Sequence, residues 1–285
     1  MPRGTVTLDD LPGLGPSFAR ALVPSREKVA KVPAHAVSVL GYDQDPARLA
    51  RYARVCGFTL RDTVPPTWLH VLAFPLHVHL LGAPEASVRL VGAVHVSNSM
   101  TSHRPVSASE PLDISVQAGN IRAHRRGALV DLDARIDVDG ERVWEGVSTY
   151  LAQGMQASGD SVETTRDEFV PELPHARWRL PAKLGVDYRA VSGDPNPIHT
   201  NRLAAKAFGF PRPIIHGMWT HARALAALDN KLQAPYRVDV DFVKPVFLPG
   251  TVGFRSWATD EGWRADVTTK DGAKPHLRMR VSDLT

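Results

Sequence analysis

The chain has 285 residues, of which 43% are apolar and 22% charged, and a formal net charge of +4. This is globular composition, which excludes a disordered or collagen-like chain, and the length admits one large domain or two ordinary ones. A single cysteine, Cys56, excludes an intramolecular disulfide framework and suits a reducing cytoplasm, the expected location.

Asp9 and Asp10 precede any long apolar run, which argues against a secretory signal. The most membrane-like stretch, Trp68 to Leu81, is too short to span and carries His70, His77 and His79, so no membrane span is expected. Strand patterns follow at Val88–Val96, Leu112–Ala118, Ala128–Val138 and Val143–Ala152. The densest basic group, Arg122, His124, Arg125 and Arg126, reads as a solvated turn or as a docking place for an anionic carrier. It lacks the interleaved aromatics of a nucleic-acid surface, so no nucleic-acid partner is expected.

Residues 154–174 are polar, rich in Ser, Thr, Asp and Glu, and have a linker's composition. They divide an expected first domain (1–153) from a second (175–285). Within the second, Ile215 to Leu232 has apolar residues at helical spacing and predicts a buried helix. Strands are predicted at Val238–Val243, Thr251–Trp257, Trp263–Thr269 and His276–Val281, separated by Asp-Glu-Gly and Asp-Gly turns.

The two halves are related. Tyr52-Ala53-Arg54-Val55-Cys56-Gly57-Phe58 lies over Tyr188-Arg189-Ala190-Val191-Ser192-Gly193-Asp194. Pro65–His70 follows Pro211–His216, and His103-Arg104-Pro105-Val106 parallels Val243-Lys244-Pro245-Val246. Chemically the halves differ. Phe58 stands where the second half has Asp194, and the span from Gly57 to His70 is about ten residues shorter than that from Gly193 to His216. That contraction predicts an open groove in the first half, lined by Trp68, Leu69, Val71, Leu72 and Phe74.

The chemistry concentrates in Tyr188 to His199. Prolines 195 and 197 bracket Asn196, so an ordinary helix cannot run through, and a stiff loop can hold Asp194 and His199 in one small volume. An acid and an imidazole placed so can take a proton from one atom and deliver one to another. No HExxH, GxSxG, GxGxxG or P-loop pattern occurs; His216 and His221 are poorly aligned on one helix face, and Cys56 is expected as a buried thiol.

The segment resembles the signature of the MaoC-like dehydratase or hydratase 2 family. An aromatic residue and a small one precede Gly-Asp-x-Asn-Pro-aliphatic-His, and a small residue, Ala205, follows six positions on. The resemblance implies an α+β double hot-dog, two fused units that each wrap an antiparallel sheet around a long helix. It implies reversible conversion between trans-2-enoyl and (3R)-3-hydroxyacyl thioesters in fatty-acid metabolism, in the direction of dehydration during elongation. Asp194 and His199 are then the catalytic pair, with the assignment of water and α-carbon between them open.

Gly217 in His216-Gly217-Met218 is implied as the oxyanion donor. Asn196 supports the loop, His216 either supports the pair or caps the helix, and Ser192 or a water replaces a serine that some shorter relatives carry where this chain has Leu225. The degenerate first half would take the acyl tail through Trp68, Val71, Leu72 and Phe74. No cofactor and no metal are implied; the partner is an acyl-CoA or acyl-carrier-protein thioester. The chain is expected as a monomer with an internal pseudo-dimer or as a homodimer. A thioesterase and a non-catalytic acyl-thioester binder are the rival readings.

Overall fold

The structure, a computed structural model, describes residues 4–13, 15, 19–20, 23, 25–89, 92–163 and 167–284. Within these the first half runs through strands β1 (Thr5–Leu8) and β2 (Ala36–Tyr42), then helices α1 (Pro46–Cys56) and α2 (Pro66–Leu81). Strands β3 (Ala93–Ser102), β4 (Leu112–His124), β5 (Gly127–Val138) and β6 (Glu141–Gln153) follow. The second half has β7 (Ala176–Leu180), α3 (Leu184–Ser192), α4 (Arg202–Ala207) and α5 (Gly217–Ala226). It ends with β8 (Tyr236–Phe242), β9 (Gly250–Thr259), β10 (Gly262–Thr269) and β11 (Pro275–Asp283).

The strands expected from alternation are present, most of them longer. The expected strand at Val88–Val96 begins only at Ala93, and residues 90 and 91 lie outside the described set. The expected helix at Ile215–Leu232 is shorter, Gly217–Ala226, with a 3-10 turn at Asp229–Lys231. Asp and Asn compete with the helix for backbone hydrogen bonds, and Asp229 and Asn230 sit where it stops. Strands β1 and β7 escape the sequence pattern because nearly all their residues are exposed or half-buried, which leaves no alternation to read.

Two compact units form, and they do not divide at the polar linker. The first holds Met1–Gln44, Trp68–Met100 and Val106–Arg166; the second holds Asp45–Thr67, Thr101–Pro105 and Asp167–Thr285. The first unit thus runs past 153 to Arg166, and the second takes in residues 45–67 and 101–105 of the expected first domain as well as 167–174. Helix α1 belongs to the second unit, where it packs on α3 and α5, with the Tyr52 and Tyr188 rings 6.2 Å apart. Residues 167–174 belong there too, because buried Arg255 ties them to the sheet. Its guanidinium donates to Val170 O at 3.0 Å, Glu172 Oε2 at 2.6 Å and Asp266 Oδ2 at 2.7 Å. Asp266 is itself buried, so losing Arg255 would strand a charge at a cost of about 3–5 kcal/mol.

Each unit sets a buried helix against an antiparallel sheet. In the first, the strand order is β1-β2-β4-β5-β6-β3, antiparallel in the register β2–β4–β5–β6 and parallel only at β1–β2. Leu112, Ile114, Val116 and Ala118 alternate inward along β4, as a sheet with one buried face requires. Asp139 (φ 50°) and Gly140 (φ 80°) make the tight turn from β5 to β6. From Trp68 onward α2 is buried almost all round, despite Pro75 in its interior. A fully buried leucine such as Leu72 contributes about 2 kcal/mol. In the second unit the order is β8-β11-β10-β9-β7, all antiparallel, and α5 packs on β10 and β11. Among the described residues no helix is long and apolar enough to cross a membrane.

The repeat is visible in the way α1 and α3 end. Gly57 (φ 80°) and Gly193 (φ 77°) are both left-handed caps, donating to Ala53 O and Arg189 O at 2.8 Å each. A residue with a Cβ is strained at such φ values, which accounts for glycine at both positions. After Gly57 the chain passes by a short turn to α2. After Gly193 it makes a 3-10 turn, Pro197–His199, and helix α4 before reaching α5. The ten-residue difference is that insertion.

The first unit buries two histidines, His70 and His77, beside a half-buried third, His95. His70 and His77 lie two turns apart on α2, with ring centroids 5.5 Å apart, and His95 of β3 stacks on Tyr150 at 4.5 Å. Burial pushes His70 down to about 4 and drives His77 well below the ordinary histidine range. A histidine whose folded pKa is depressed contributes stability that is complete above its unfolded value, about 6.5, and is lost as pH falls through the folded value. For His70 alone the window from about 6.5 to 4 is worth about 3 kcal/mol. Denaturant melts should therefore show stability falling steeply below pH 6.5, with a shallower slope in His70→Leu. An unchanged slope in that variant would place the acid sensitivity elsewhere.

Candidate active site

The second unit builds a site by ending α3 abruptly. After the left-handed Gly193, the Asn196 N–H donates to Asp194 Oδ1 at 2.9 Å. Asn196 Oδ1 in turn accepts from the Ile198 N–H at 3.3 Å and so caps the 3-10 turn. Pro195 and Pro197 lack N–H donors and hold their own φ, so the loop closes on these few bonds. Ser192 Oγ accepts from the Asp194 N–H at 3.3 Å, and it therefore supports the loop backbone rather than the carboxylate.

His199 emerges from the turn 8% exposed, its Nδ1 2.8 Å from the Ile214 carbonyl oxygen. A carbonyl only accepts, so Nδ1 carries the hydrogen and Nε2 keeps a free lone pair. That Nε2 lies 4.0 Å from Asp194 Oδ2, and His216 Nε2 lies 3.7 Å from the same oxygen. The two imidazoles stack with centroids 3.7 Å apart at 26°, and Tyr188 packs on His216 at 4.8 Å.

Burial pushes His199 below the ordinary histidine range, partly opposed by the Asp194 charge and the Ile214 hydrogen bond. Burial drives His216 further down, with the neighbouring His199 and Arg189 adding to it. Both rings are neutral near pH 7. The result is a carboxylate, about a fifth of its side chain exposed, beside two buried, uncharged imidazoles. This arrangement can exchange protons with a bound molecule without first breaking a salt bridge.

His216 occupies the N-cap of α5, but its side chain makes no capping hydrogen bond; it turns toward Asp194 instead. Gly217 is the first helical residue, so its N–H has no carbonyl within α5 to reach and lies at the positive end of the helix. A Cβ at Gly217 would press on the Phe242 ring at 3.0 Å. Leu225 is buried in α5 and offers no hydrogen bond, so the carboxylate receives none from that position. Trp68, Val71, Leu72 and Phe74 lie on α2 and are all buried, in the first unit rather than with Asp194 and His199. Trp68 donates its indole N–H to Gln44 Oε1 at 3.0 Å. In the basic turn, Arg122 is engaged by Asp131 at 2.6 and 2.9 Å.

Two residues that matter here carry no sequence signal. Arg48 of α1 donates from Nε to Val191 O at 2.8 Å and from Nη2 to Ser192 O at 3.3 Å, satisfying the last carbonyls of α3. It is 143 residues from its nearer acceptor, and only the fold brings them together. Gly185, near the start of α3, approaches the His199 backbone so closely that a Cβ would fall 2.0 Å from the His199 carbonyl oxygen. Gly185→Ala should therefore push the 3-10 turn away and lower thermal stability by about 1–3 kcal/mol. The His199 ring signals should shift in NMR spectra. Gly119→Ala, which meets nothing within 4 Å, serves as the control. Unshifted His199 signals in Gly185→Ala would mean the helix can yield without moving the turn.

Comparison with known proteins identifies the family and the fold. A family model described as "MaoC like domain" matches residues 161–277, spanning the whole site. The chain is 37% identical over 270 residues to 3-hydroxyacyl-thioester dehydratase X of Mycobacterium tuberculosis, covering 93% of this chain and 95% of that one. A crystal structure of HtdX from that organism superposes with a TM-score of 0.77 at 36% identity, over 87% of this chain and all of that one. A further M. tuberculosis protein described as having a double hotdog fold matches with a TM-score of 0.54 at 13% identity, over 95% and 98% of the two chains. By sequence, fold and the Gly-Asp-Pro-Asn-Pro-Ile-His loop, the chain belongs to the MaoC-like dehydratase family, in its double hot-dog form.

Proposed function

We propose that this protein is a lyase that interconverts trans-2-enoyl thioesters and (3R)-3-hydroxyacyl thioesters in fatty-acid metabolism, acting as a dehydratase during elongation. Asp194 and His199 form its acid–base pair. The observation that carries this reading is the Asp194 Oδ2 to His199 Nε2 separation of 4.0 Å, with His199 Nδ1 committed to the Ile214 carbonyl. The separation is too long for a direct hydrogen bond, and a substrate hydroxyl or water between the two groups could engage both.

In dehydration the pair takes the proton from C2 and, as the C3–O bond breaks, delivers that proton to the leaving hydroxyl, which departs as water. A proton on the pair is thus exchanged, with no net gain or loss over the cycle. Negative charge gathers on the thioester oxygen as the enolate forms, and the Gly217 N–H at the head of α5 is suited to receive it. Such a donor lowers a barrier by about 3 kcal/mol. Asn196 and Ser192 hold the loop, and His216 walls the pair on one side. All of these residues belong to one unit of one chain, so the reading needs no partner subunit to complete the site. The thioester carrier, coenzyme A or an acyl carrier protein, is part of the substrate.

Crotonyl-CoA tests the reading directly. Wild-type protein should bleach the conjugated thioester absorbance without freeing a thiol, and the product should fail to couple to an S-specific 3-hydroxyacyl-CoA dehydrogenase. Asp194→Asn and His199→Ala should each nearly abolish the reaction with the fold intact, and the double variant should be little worse than either. Release of free thiol would identify a thioesterase instead. Near-wild-type turnover in either single variant would remove the assigned pair.

We also propose that the first unit receives the acyl tail along α2, through Trp68, Val71, Leu72 and Phe74. The support is chemical: Phe58 replaces the acid, no loop equivalent to residues 194–199 follows, and α2 is apolar; Trp68, Val71, Leu72 and Phe74 are at most 8% exposed, so the tail parts packed side chains rather than entering an open groove. Enlarging Val71 or Leu72 to Phe should then exclude two or three methylenes, at about 0.8 kcal/mol each. That is a loss of about tenfold or more in kcat/KM for long chains, with crotonyl-CoA spared. Equal losses for short and long substrates, in variants with unchanged Tm, would make these residues core and nothing more.

A further inference from the structure

The site contains one feature that the acid–base reading does not use. Asp194, His199 and His216 each present a ligand-type atom, and the three atoms lie within 4.8 Å of one another. His216 is 3% exposed, and neither of its ring nitrogens has a hydrogen-bond partner. A buried imidazole left so costs about 1–3 kcal/mol, which calls for a ligand or a function.

The distances discriminate between two kinds of ligand. A charge-assisted hydrogen bond would draw an imidazole nitrogen to about 2.7–2.9 Å from the carboxylate. Two ligand atoms sharing a tetrahedral cation at about 2.0–2.1 Å stand about 3.3 Å apart. The separations from Asp194, 3.7 and 4.0 Å, are too long for the first; to reach the second, the three ligand atoms, at most 4.8 Å apart, must draw together by up to about 1.5 Å. The outer support that a metal site needs is also in place. His199 is oriented by its Nδ1–H donating to Ile214 O, and Asp194 Oδ1 accepts from the Asn196 N–H. Two imidazoles and one carboxylate suit a borderline transition cation and not magnesium, and three protein ligands leave a fourth position open.

We propose that Asp194, His199 and His216 form an inhibitory site for zinc or a similar divalent transition cation, which switches the enzyme off by occupying the His199 lone pair and the Asp194 carboxylate. The cation takes no part in the reaction. Neutral imidazoles and a carboxylate bind it without releasing a proton, and while it is bound neither member of the pair can accept one. Occupation by cation and by thioester substrate are mutually exclusive.

The test reads binding apart from activity. Metal-free protein, prepared with EDTA, is titrated with Zn2+ by calorimetry and with Co2+ by visible absorption, and hydration of crotonyl-CoA is followed in parallel. One equivalent should bind, Co2+ should show the intense bands of a low-coordinate nitrogen–oxygen site, and activity should fall in step with occupancy and return with EDTA. Mg2+ should do neither. Asp194→Asn and His216→Ala should each weaken the site at least tenfold; His216→Gln replaces the alanine variant if that one fails to fold. Absence of a one-equivalent site, a site unchanged in Asp194→Asn and His216→Ala, or full activity in the loaded protein overturns the inference. Because the EDTA-treated protein is assayed first, activity there upholds the lyase assignment whatever the metal does, and a metal-free protein that is inactive until Zn2+ is restored overturns the inhibitory reading.

Discussion

The hydrogen bond from His199 Nδ1 to the Ile214 carbonyl is the constraint on which the site depends. It joins the end of the proline-rich turn to the segment that leads into α5, and in one contact it sets the ring's position and its tautomer. Because Nδ1 donates, Nε2 faces Asp194 with a free lone pair, and because Ile214 is two residues before His216, the same tie brings the second imidazole beside the first. The Ile215 N–H is itself held by Val246 O at 2.9 Å, so the anchor rests on backbone rather than on a mobile side chain. A loop of six residues with two prolines has few ways to satisfy all of these bonds at once, which is how a short segment achieves the placement that proton transfer demands.

The duplication is used asymmetrically. Helices α1 and α3 are counterparts with the same left-handed glycine caps, yet α1 serves the second unit by laying Arg48 across the last carbonyls of α3 and Tyr52 against Tyr188. Those carbonyls would otherwise be unsatisfied where the chain turns into the Asp194–His199 loop. The half that lost its acid and base has therefore kept a structural task. Phe58, at the position of the lost acid, stacks on Tyr52 at 6.4 Å and fills space instead of titrating.

Buried imidazoles recur in both units with different consequences. In the first, His70 and His77 sit in the core helix far below their ordinary pKa, which couples the fold to acid. In the second, His199 and His216 are likewise held neutral by burial, but Asp194 stands beside them. A carboxylate therefore stands within 4.0 Å of two neutral rings in the second unit, and no comparable three-group cluster lies beside His70 and His77 among the described residues.

Local sequence determined much of this protein. Period-two alternation marked the strands other than β1, β2 and β7, Gly57 and Gly193 marked equivalent helix ends, and the order Gly193-Asp194-Pro195-Asn196-Pro197-Ile198-His199 put Asp194 and His199 together, because turn chemistry acts over a few residues. Tertiary structure decided what depends on distance. It put α1 in the second unit, brought Arg48 to Val191 across 143 residues, and required Gly185 to be bare beside the His199 carbonyl. It also turned the His216 ring away from its helix cap and toward Asp194. None of these leaves a periodic trace in the chain, since each arises from packing between segments whose separation in sequence is unrelated to their separation in space.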